Sequence, residues 1–245
     1  MDKDYKIIEA VNPPGGFVWE PDQIDHLFRD VAEQWNNDPD CMEKSSDILK
    51  TMDNVFNTLP RKWKKITVNP YKVKMMMFMM AYTRKGIVQI FDAFVSADQG
   101  DYSGLAFLSM AYDQLPNMTG MNWGDNFSKA VSADYETDRD YVTAMDPEGS
   151  VIGSPMSKLF GLLKYHGWPI KQIPETYRKM QNSDTETLML SGSIDISTPA
   201  SNGTELLKYL PNGQQVILKN RGHQDMGSVQ TDAYKHLINT FYQTG

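Results

Sequence analysis

The sequence predicts an α/β fold in which about three parallel strands are interrupted by a large all-helical insertion. Three observations carry this prediction. An apolar run of strand character, residues 5–11 (YKIIEAV), stands almost at the first residue. The long middle of the chain then shows apolar residues at helical spacing and turn-forming clusters, without the period-two alternation of a strand. Two more strand-like runs, residues 188–190 and 216–218, return near the end, and the segment between them can form the helix that a second parallel strand requires. The expected division is a sheet layer from residues 1–16 and 186–245, with residues 17–185 as the helical insertion.

Residues 12–16 (NPPGG) end the first strand, because two prolines and two glycines cannot continue a ladder. Helix starts at Pro21, which suits a first helical turn, and Ile24, Leu27, Phe28, Val31 and Trp35 recur on one face. A second amphipathic segment, residues 45–59, carries Ile48, Leu49, Met52, Val55, Phe56 and Leu59 on its apolar side and stops at Pro60. Residues 71–97 read as nearly continuous apolar helix broken near Gly86, and residues 104–115 add a helix ended by Pro116. Many of the 16 methionines fall here; thioether side chains suit an adaptable cavity, but a plain helical core accounts for the stripe. Residues 117–153 are rich in Asn, Gly and Asp, which favours turns. Ser154 reads as the N-cap of a helix that carries Leu159, Phe160, Leu162 and Leu163 and ends near Gly167. The last helix, residues 231–242, aligns Tyr234, Leu237, Ile238 and Phe241.

Composition narrows the function classes. A hydrophobic share of 40% and a charged share of 22% are those of a folded globular chain, and a net charge of −7 argues against a nucleic-acid surface. The basic run at residues 61–65 is short and reads as a solvated face. No segment reaches the roughly 18 to 20 apolar residues of a membrane span. The nearest, residues 75–82 (MMMFMMAY), is closely flanked by lysine and arginine and reads as buried helix. The opening residues lack the apolar run of a signal peptide, and the lone Cys41 excludes an intramolecular disulfide framework. These features assign no compartment.

Chemistry concentrates at residues 187–226. Asp195 follows the strand run at 188–190, and His223 follows the run at 216–218, a separation that accommodates one helix and one strand. Catalytic groups of open α/β sheets gather beyond the carboxyl ends of the strands. An aspartate bonded to one imidazole nitrogen fixes the tautomer and leaves the other nitrogen to take a proton from a hydroxyl. Gly222 is expected to permit the tight bend that returns His223 over the sheet edge. Taken singly, Asp195 reads equally as a turn-capping residue and His223 as a structural histidine; the pair with its two strands is the informative signal. His26, His166 and His236 lie on helices without metal-ligand spacing, so neither a metal nor a cofactor is expected.

These segments, GSIDISTP and GQQVILKNRGH, resemble the acid and histidine segments of α/β-hydrolases, in particular the tripeptidyl-aminopeptidase-like group related to proline iminopeptidases. In that family the acid lies in a G-x-x-D-x-x-T-P turn, matched by Gly192, Asp195, Thr198 and Pro199, and the base follows a glycine, as His223 follows Gly222. The opening residues VNPPGGFVWEP, the helical middle and NWGD at residues 122–125 resemble the family's sixth strand and cap more loosely. By this resemblance Asp195 and His223 are the acid and base of a Ser–His–Asp triad, and residues 17–185 form the cap over a partial hydrolase core.

The departure from the family is the nucleophile. The family's serine sits in a G-x-S-x-G elbow ahead of the acid and base, and no G-x-S-x-G occurs here. Ser150 is off centre between Gly149 and Gly153, and Ser193 directly precedes the acid turn. The expectation is therefore a partial serine hydrolase, inactive alone, whose complete form would act on a small-molecule or peptide substrate. An N-terminal hydrolase half is the candidate partner to supply the serine, in a split enzyme. A non-catalytic ligand- or protein-binding module built on the same fold is the alternative. The first strand, missing its neighbour, would be an exposed edge.

Overall fold

A computed structural model describes residues 18–115, 122–167, 169 and 171–244. The strand expected at residues 5–11 and the loop that follows it lie outside the described residues.

The first helices follow their start signals. Helix α1 (Pro21–Asn36) places proline in its first turn and buries Ile24, Leu27, Phe28, Val31 and Trp35. Helix α2 (Pro39–Lys44) is capped by the Asp38 carboxylate, and α3 (Ile48–Thr58) by Asp47, which accepts from the Lys50 amide. A small antiparallel hairpin, β1 (Lys62–Trp63) and β2 (Ile66–Thr67), occupies the basic run, with Lys64 left-handed at φ 54°. Helices α4 (Pro70–Met80), α5 (Arg84–Asp98) and α6 (Ser103–Ala111) complete the main helical layer, and a 3₁₀ turn, Tyr112–Gln114, extends α6.

The break in the apolar helix falls at residues 81–83 rather than at Gly86. Thr83 adopts extended backbone and its hydroxyl accepts from the Gly86 amide, so Gly86 lies inside the first turn of α5. Residues 123–133 also depart from expectation. They form helix α7 (Trp123–Ala133), because Asn122 accepts from the Asp125 amide and so starts a helix where composition pointed to turns. Helix α8 (Tyr141–Ala144) follows.

Ser154 does not cap through its hydroxyl, which is buried without a partner among the described residues. The segment after it is 3₁₀ over Ser157–Leu162 and becomes α9 (Leu163–His166), ending at Gly167 with φ 64°. The eclipsed 3₁₀ turn leaves Leu162 exposed while Phe160 and Leu163 are buried. A short α10 (Glu175–Arg178) leads toward the sheet.

Strands β3 (Thr187–Gly192) and β4 (Gly213–Leu218) pair in parallel, from Thr187 opposite Gly213 to Gly192 opposite Leu218. Helix α11 (Ala200–Leu206) joins them, and α12 (Thr231–Thr244) follows. This is an α/β arrangement, rich in helix, whose parallel sheet has two strands among the described residues. None of the described helices is long and apolar enough to cross a membrane.

The main core lies in the helical layer, where Ile24, Phe28, Met52, Met77, Phe78, Phe91 and Phe94 meet. Two residues from the far end of the chain, Ile194 and Ile196, belong to the same core and are 2% and 1% exposed. A second core gathers Val18, Val131, Tyr141, Met145 and Phe160.

Candidate functional site

The site is built where β3 and β4 end. Beyond Gly192 the chain turns, and the Ile194 amide donates to the Arg221 carbonyl at 3.1 Å, tying the loop after one strand to the loop after the other. A Cβ on Gly192 would run into that same carbonyl, so glycine here allows the two loops to touch. The Asn220 amide donates to the Ser193 hydroxyl at 2.8 Å, which gives Ser193 a structural task.

Asp195 is completely buried, and its sequence neighbours Ile194 and Ile196 both belong to the helical core. An isolated carboxylate at such a position would be costly, and four hydrogen bonds compensate. Oδ1 accepts from the amides of Ser197 and Thr198 at 2.8 and 2.9 Å. Oδ2 accepts from the Thr198 hydroxyl at 2.8 Å and lies 3.1 Å from Nδ1 of His223. Burial by itself would raise the carboxyl pKa, but the bonds from His223 and Thr198 together outweigh it and hold the pKa below the ordinary value.

An ionised Asp195 places the proton of neutral His223 on Nδ1, because that nitrogen faces an acceptor. The bond to Asp195 raises the His223 pKa, and partial burial opposes the rise without cancelling it. The Thr198 hydroxyl is 3.3 Å from the same nitrogen and gives Nδ1–H a second acceptor. The His223 side chain is 37% exposed, so the ring combines a buried partner with access to solvent. Among the described residues no serine or cysteine side chain is hydrogen-bonded to it.

The helical part supplies the rest of the frame. The Tyr82 ring meets His223 edge-on, 5.2 Å between centroids at 80°. Trp19 Nε1 donates to the Ser197 carbonyl at 2.8 Å. The Gln224 amide donates to the Tyr82 carbonyl at 3.0 Å, while the Asp225 carboxylate accepts from the Gly222 and Arg84 amides at 3.1 and 2.8 Å. Gly222 is explained by close approach, since a Cβ would stand 2.6 Å from the Tyr82 carbonyl oxygen. The left-handed residue of the bend is Asn220, at φ 56°.

Thr198, Tyr82, Trp19 and Asp225 thus join the two residues expected from sequence. Thr198 was visible as the threonine of the acid turn. Tyr82 and Trp19 meet the site only through tertiary contacts, with Trp19 and Ser197 separated by 178 positions, and Asp225, within the histidine loop, shows its role only once the distant Arg84 amide is beside it.

The remaining candidates lie elsewhere. The Ser150 hydroxyl donates to buried Asp25 at 3.0 Å and accepts from the Gly153 amide at 2.8 Å, a loop-fixing arrangement. Cys41 is a free thiol whose pKa is raised by burial and by Asp38. His26 faces Asp30 one turn along α1 at 3.7 Å. Among the described residues no group of three or more His, Cys, Asp or Glu side chains is arranged to hold a metal ion.

Residues 157–245 match the family model described as TAP-like protein, of the α/β-hydrolase type, and that stretch contains both Asp195 and His223. This part of the chain has a TAP-like α/β-hydrolase relationship, and residues 1–156 lie outside the match. No curated protein and no solved structure matches the chain.

Proposed function

We propose that Asp195 and His223 are the acid and base of a serine hydrolase of aminopeptidase- or esterase-like type, for which residues 1–245 contain no nucleophile elbow. The observation that carries this reading is the 3.1 Å contact between a fully buried Asp195 oxygen and Nδ1 of a partly exposed imidazole. With Nδ1–H directed to the carboxylate, Nε2 is the proton acceptor. In the complete enzyme Nε2 would take the proton of a serine hydroxyl as that oxygen attacks an ester or peptide carbonyl, then return it to the leaving group. Asp195 would hold the ring and stabilise the imidazolium between those steps. Residues 17–185 would act as the cap that shapes the pocket for a small-molecule or peptide substrate, beside a partial core of residues 1–16 and 186–245.

The serine would come from an N-terminal hydrolase half, which also would carry the oxyanion-hole amides that such a reaction needs. Ser150 is unsuited to the role, because its hydroxyl is engaged with Asp25 and Gly153 and has no imidazole partner among the described residues. The chain alone is therefore expected to leave a fluorophosphonate probe unreacted. Covalent labelling at any serine of this chain, located by peptide mass spectrometry, would overturn the assignment. The paired test is the titration of His223 by NMR: replacing Asp195 with Asn should lower its pKa, and an unchanged value would remove the acid–base reading.

A further inference from the structure

The loop that carries His223 is fastened to the helical part through Asp225 and the Gln224 amide. Arg84 is the first residue of α5, and its amide is one of the donors that a helix start leaves without an internal partner. Thr83 satisfies the Gly86 amide from within the corner, and Asp225 satisfies the Arg84 amide from the histidine loop. The same Asp225 oxygen takes the amide of Gly222, the residue immediately before His223. One carboxylate oxygen thus spans the helix start and the base of the histidine loop. Carboxylates are favoured there by the helix dipole as well as by the hydrogen bond.

Tyr82 forms the other half of the attachment. Its carbonyl receives the Gln224 amide, and its ring closes one side of the imidazole. Phe78, one turn earlier on α4, packs edge-on against Tyr82 at 5.8 Å and against Trp19 at 5.3 Å. Trp19 in turn holds the Ser197 carbonyl. The imidazole and its carboxylate partner therefore rest on a single continuous aromatic support within the helical part.

We propose that Tyr82, at the α4–α5 corner, and Asp225, which ties the histidine loop to that corner, are positioning residues for His223 that hold the ring at the angle that aims Nδ1 at Asp195. The inference rests on reading Asp195 and His223 as an acid–base pair. It adds that the orientation of the base is set by the helical part, through groups that touch neither a substrate nor the reacting atoms. Movement of the α4–α5 corner would then carry His223 with it.

The test is a set of NMR titrations on the full chain, with the His223 signals assigned from a His223→Gln variant. Replacing Asp195 with Asn calibrates the measurement and is expected to lower the His223 pKa by about one unit, the lower end of the effect of a close opposite charge. Asp225→Ala and Tyr82→Ala should each give a drop of about half a unit, as the ring leaves its aligned pose and the Asp195 bond weakens. Asp225→Asn retains an amide oxygen for the Arg84 and Gly222 amides and should titrate close to wild type.

If Asp225→Asn falls as far as Asp225→Ala, the effect is one of charge and the positioning role is overturned. If Asp195→Asn lowers the pKa while Asp225→Ala and Tyr82→Ala leave it unchanged, the inference fails and the acid–base reading stands. If Asp195→Asn itself has no effect, it is the acid–base reading that fails. Should Tyr82→Ala not fold, Tyr82→Leu, which takes the aromatic ring away from His223 but keeps an apolar side chain, is the substitute and should show the same drop; a wild-type value there together with one in Asp225→Ala would overturn the role.

Discussion

Replacing Gly222 with alanine probes how closely the histidine loop is seated. The added Cβ would stand 2.6 Å from the Tyr82 carbonyl oxygen, whereas ordinary contact begins at 3.4 Å, so the two backbones must separate by the difference, about 0.8 Å. The 3.0 Å bond from the Gln224 amide to that oxygen would then pass out of hydrogen-bond range. Its loss costs about 1 kcal/mol. The Arg84 amide, held by Asp225 at 2.8 Å in the same contact, would lose its cap for about 1 kcal/mol more. The expected destabilisation is about 2 kcal/mol, measured as a fall in the urea unfolding midpoint without a change in slope. Gly227, five residues later, is the control. A Cβ there meets nothing closer than Tyr234 at 3.9 Å, so Gly227→Ala should be neutral or stabilise by up to about 1 kcal/mol. Equal midpoints for Gly222→Ala and wild type would refute the reasoning, since the loop would then part from the α4–α5 corner without cost.

Three further outcomes are expected. The stability difference between wild type and Asp195→Asn should be about 1 to 3 kcal/mol, toward the lower end because solvent screens the exposed side of His223. Asp195 has a lowered pKa, so its contribution is present above 3.8 and lost as pH falls through the folded value; His223 has a raised pKa, so its contribution is present below 6.5 and lost as pH rises through the folded value. Urea titrations should accordingly place the maximum difference between pH 3.8 and 6.5, and a difference that grew steadily toward alkaline pH would contradict the pair. Ser150→Ala should cost about 1 to 3 kcal/mol in the same assay, by leaving Asp25 and the Gly153 amide each short of a partner, without changing the response to fluorophosphonate. In native-state hydrogen exchange, the amides of Ser197 and Thr198, held by the Asp195 carboxylate, should outlast the amides shared by β3 and β4; slower exchange in the strands would contradict this ranking.

The pair at the centre of the site was legible because its signals are local. Asp195 and His223 each follow a short apolar run, and the parallel register of β3 and β4 brings the ends of those runs together. Pro21 was legible for the same reason and stands where α1 begins, whereas Ser154, read as a cap, does not cap through its hydroxyl, and the caps Asp38, Asp47 and Asn69 emerge only from the structure. What sequence could not supply was which distant segments meet. Asp225 resembles any turn aspartate until the Arg84 amide, 141 positions earlier, is placed beside it. Gly222 suggested a bend, although the left-handed position is Asn220 and the glycine serves close approach. Helix α7 was hidden by its Asn- and Gly-rich start, where Asn122 acts as a cap rather than as a turn residue.

The site and the strands that lead to it are held by different parts of the molecule. Parallel strands are ordinarily covered on both faces. Here residues 187–191 of β3 are all half-buried, and Ile217 of β4 is 51% exposed. Residues 194–196 of the acid turn, by contrast, are each no more than 2% exposed, and Ile194 and Ile196 belong to the same core as α1, α4 and α5. Trp19 then holds the Ser197 carbonyl from the helical side, the Tyr82 carbonyl takes the Gln224 amide, and Asp225 returns the histidine loop to the start of α5. The 3.1 Å alignment of Asp195 with His223 therefore draws its rigidity from helical packing rather than from a fully covered sheet. In the proposed hydrolase, a segment bringing the serine would meet an acid–base pair already assembled. Its binding energy could then go to placing the hydroxyl against Nε2 and covering the half-buried strands, rather than to ordering the imidazole.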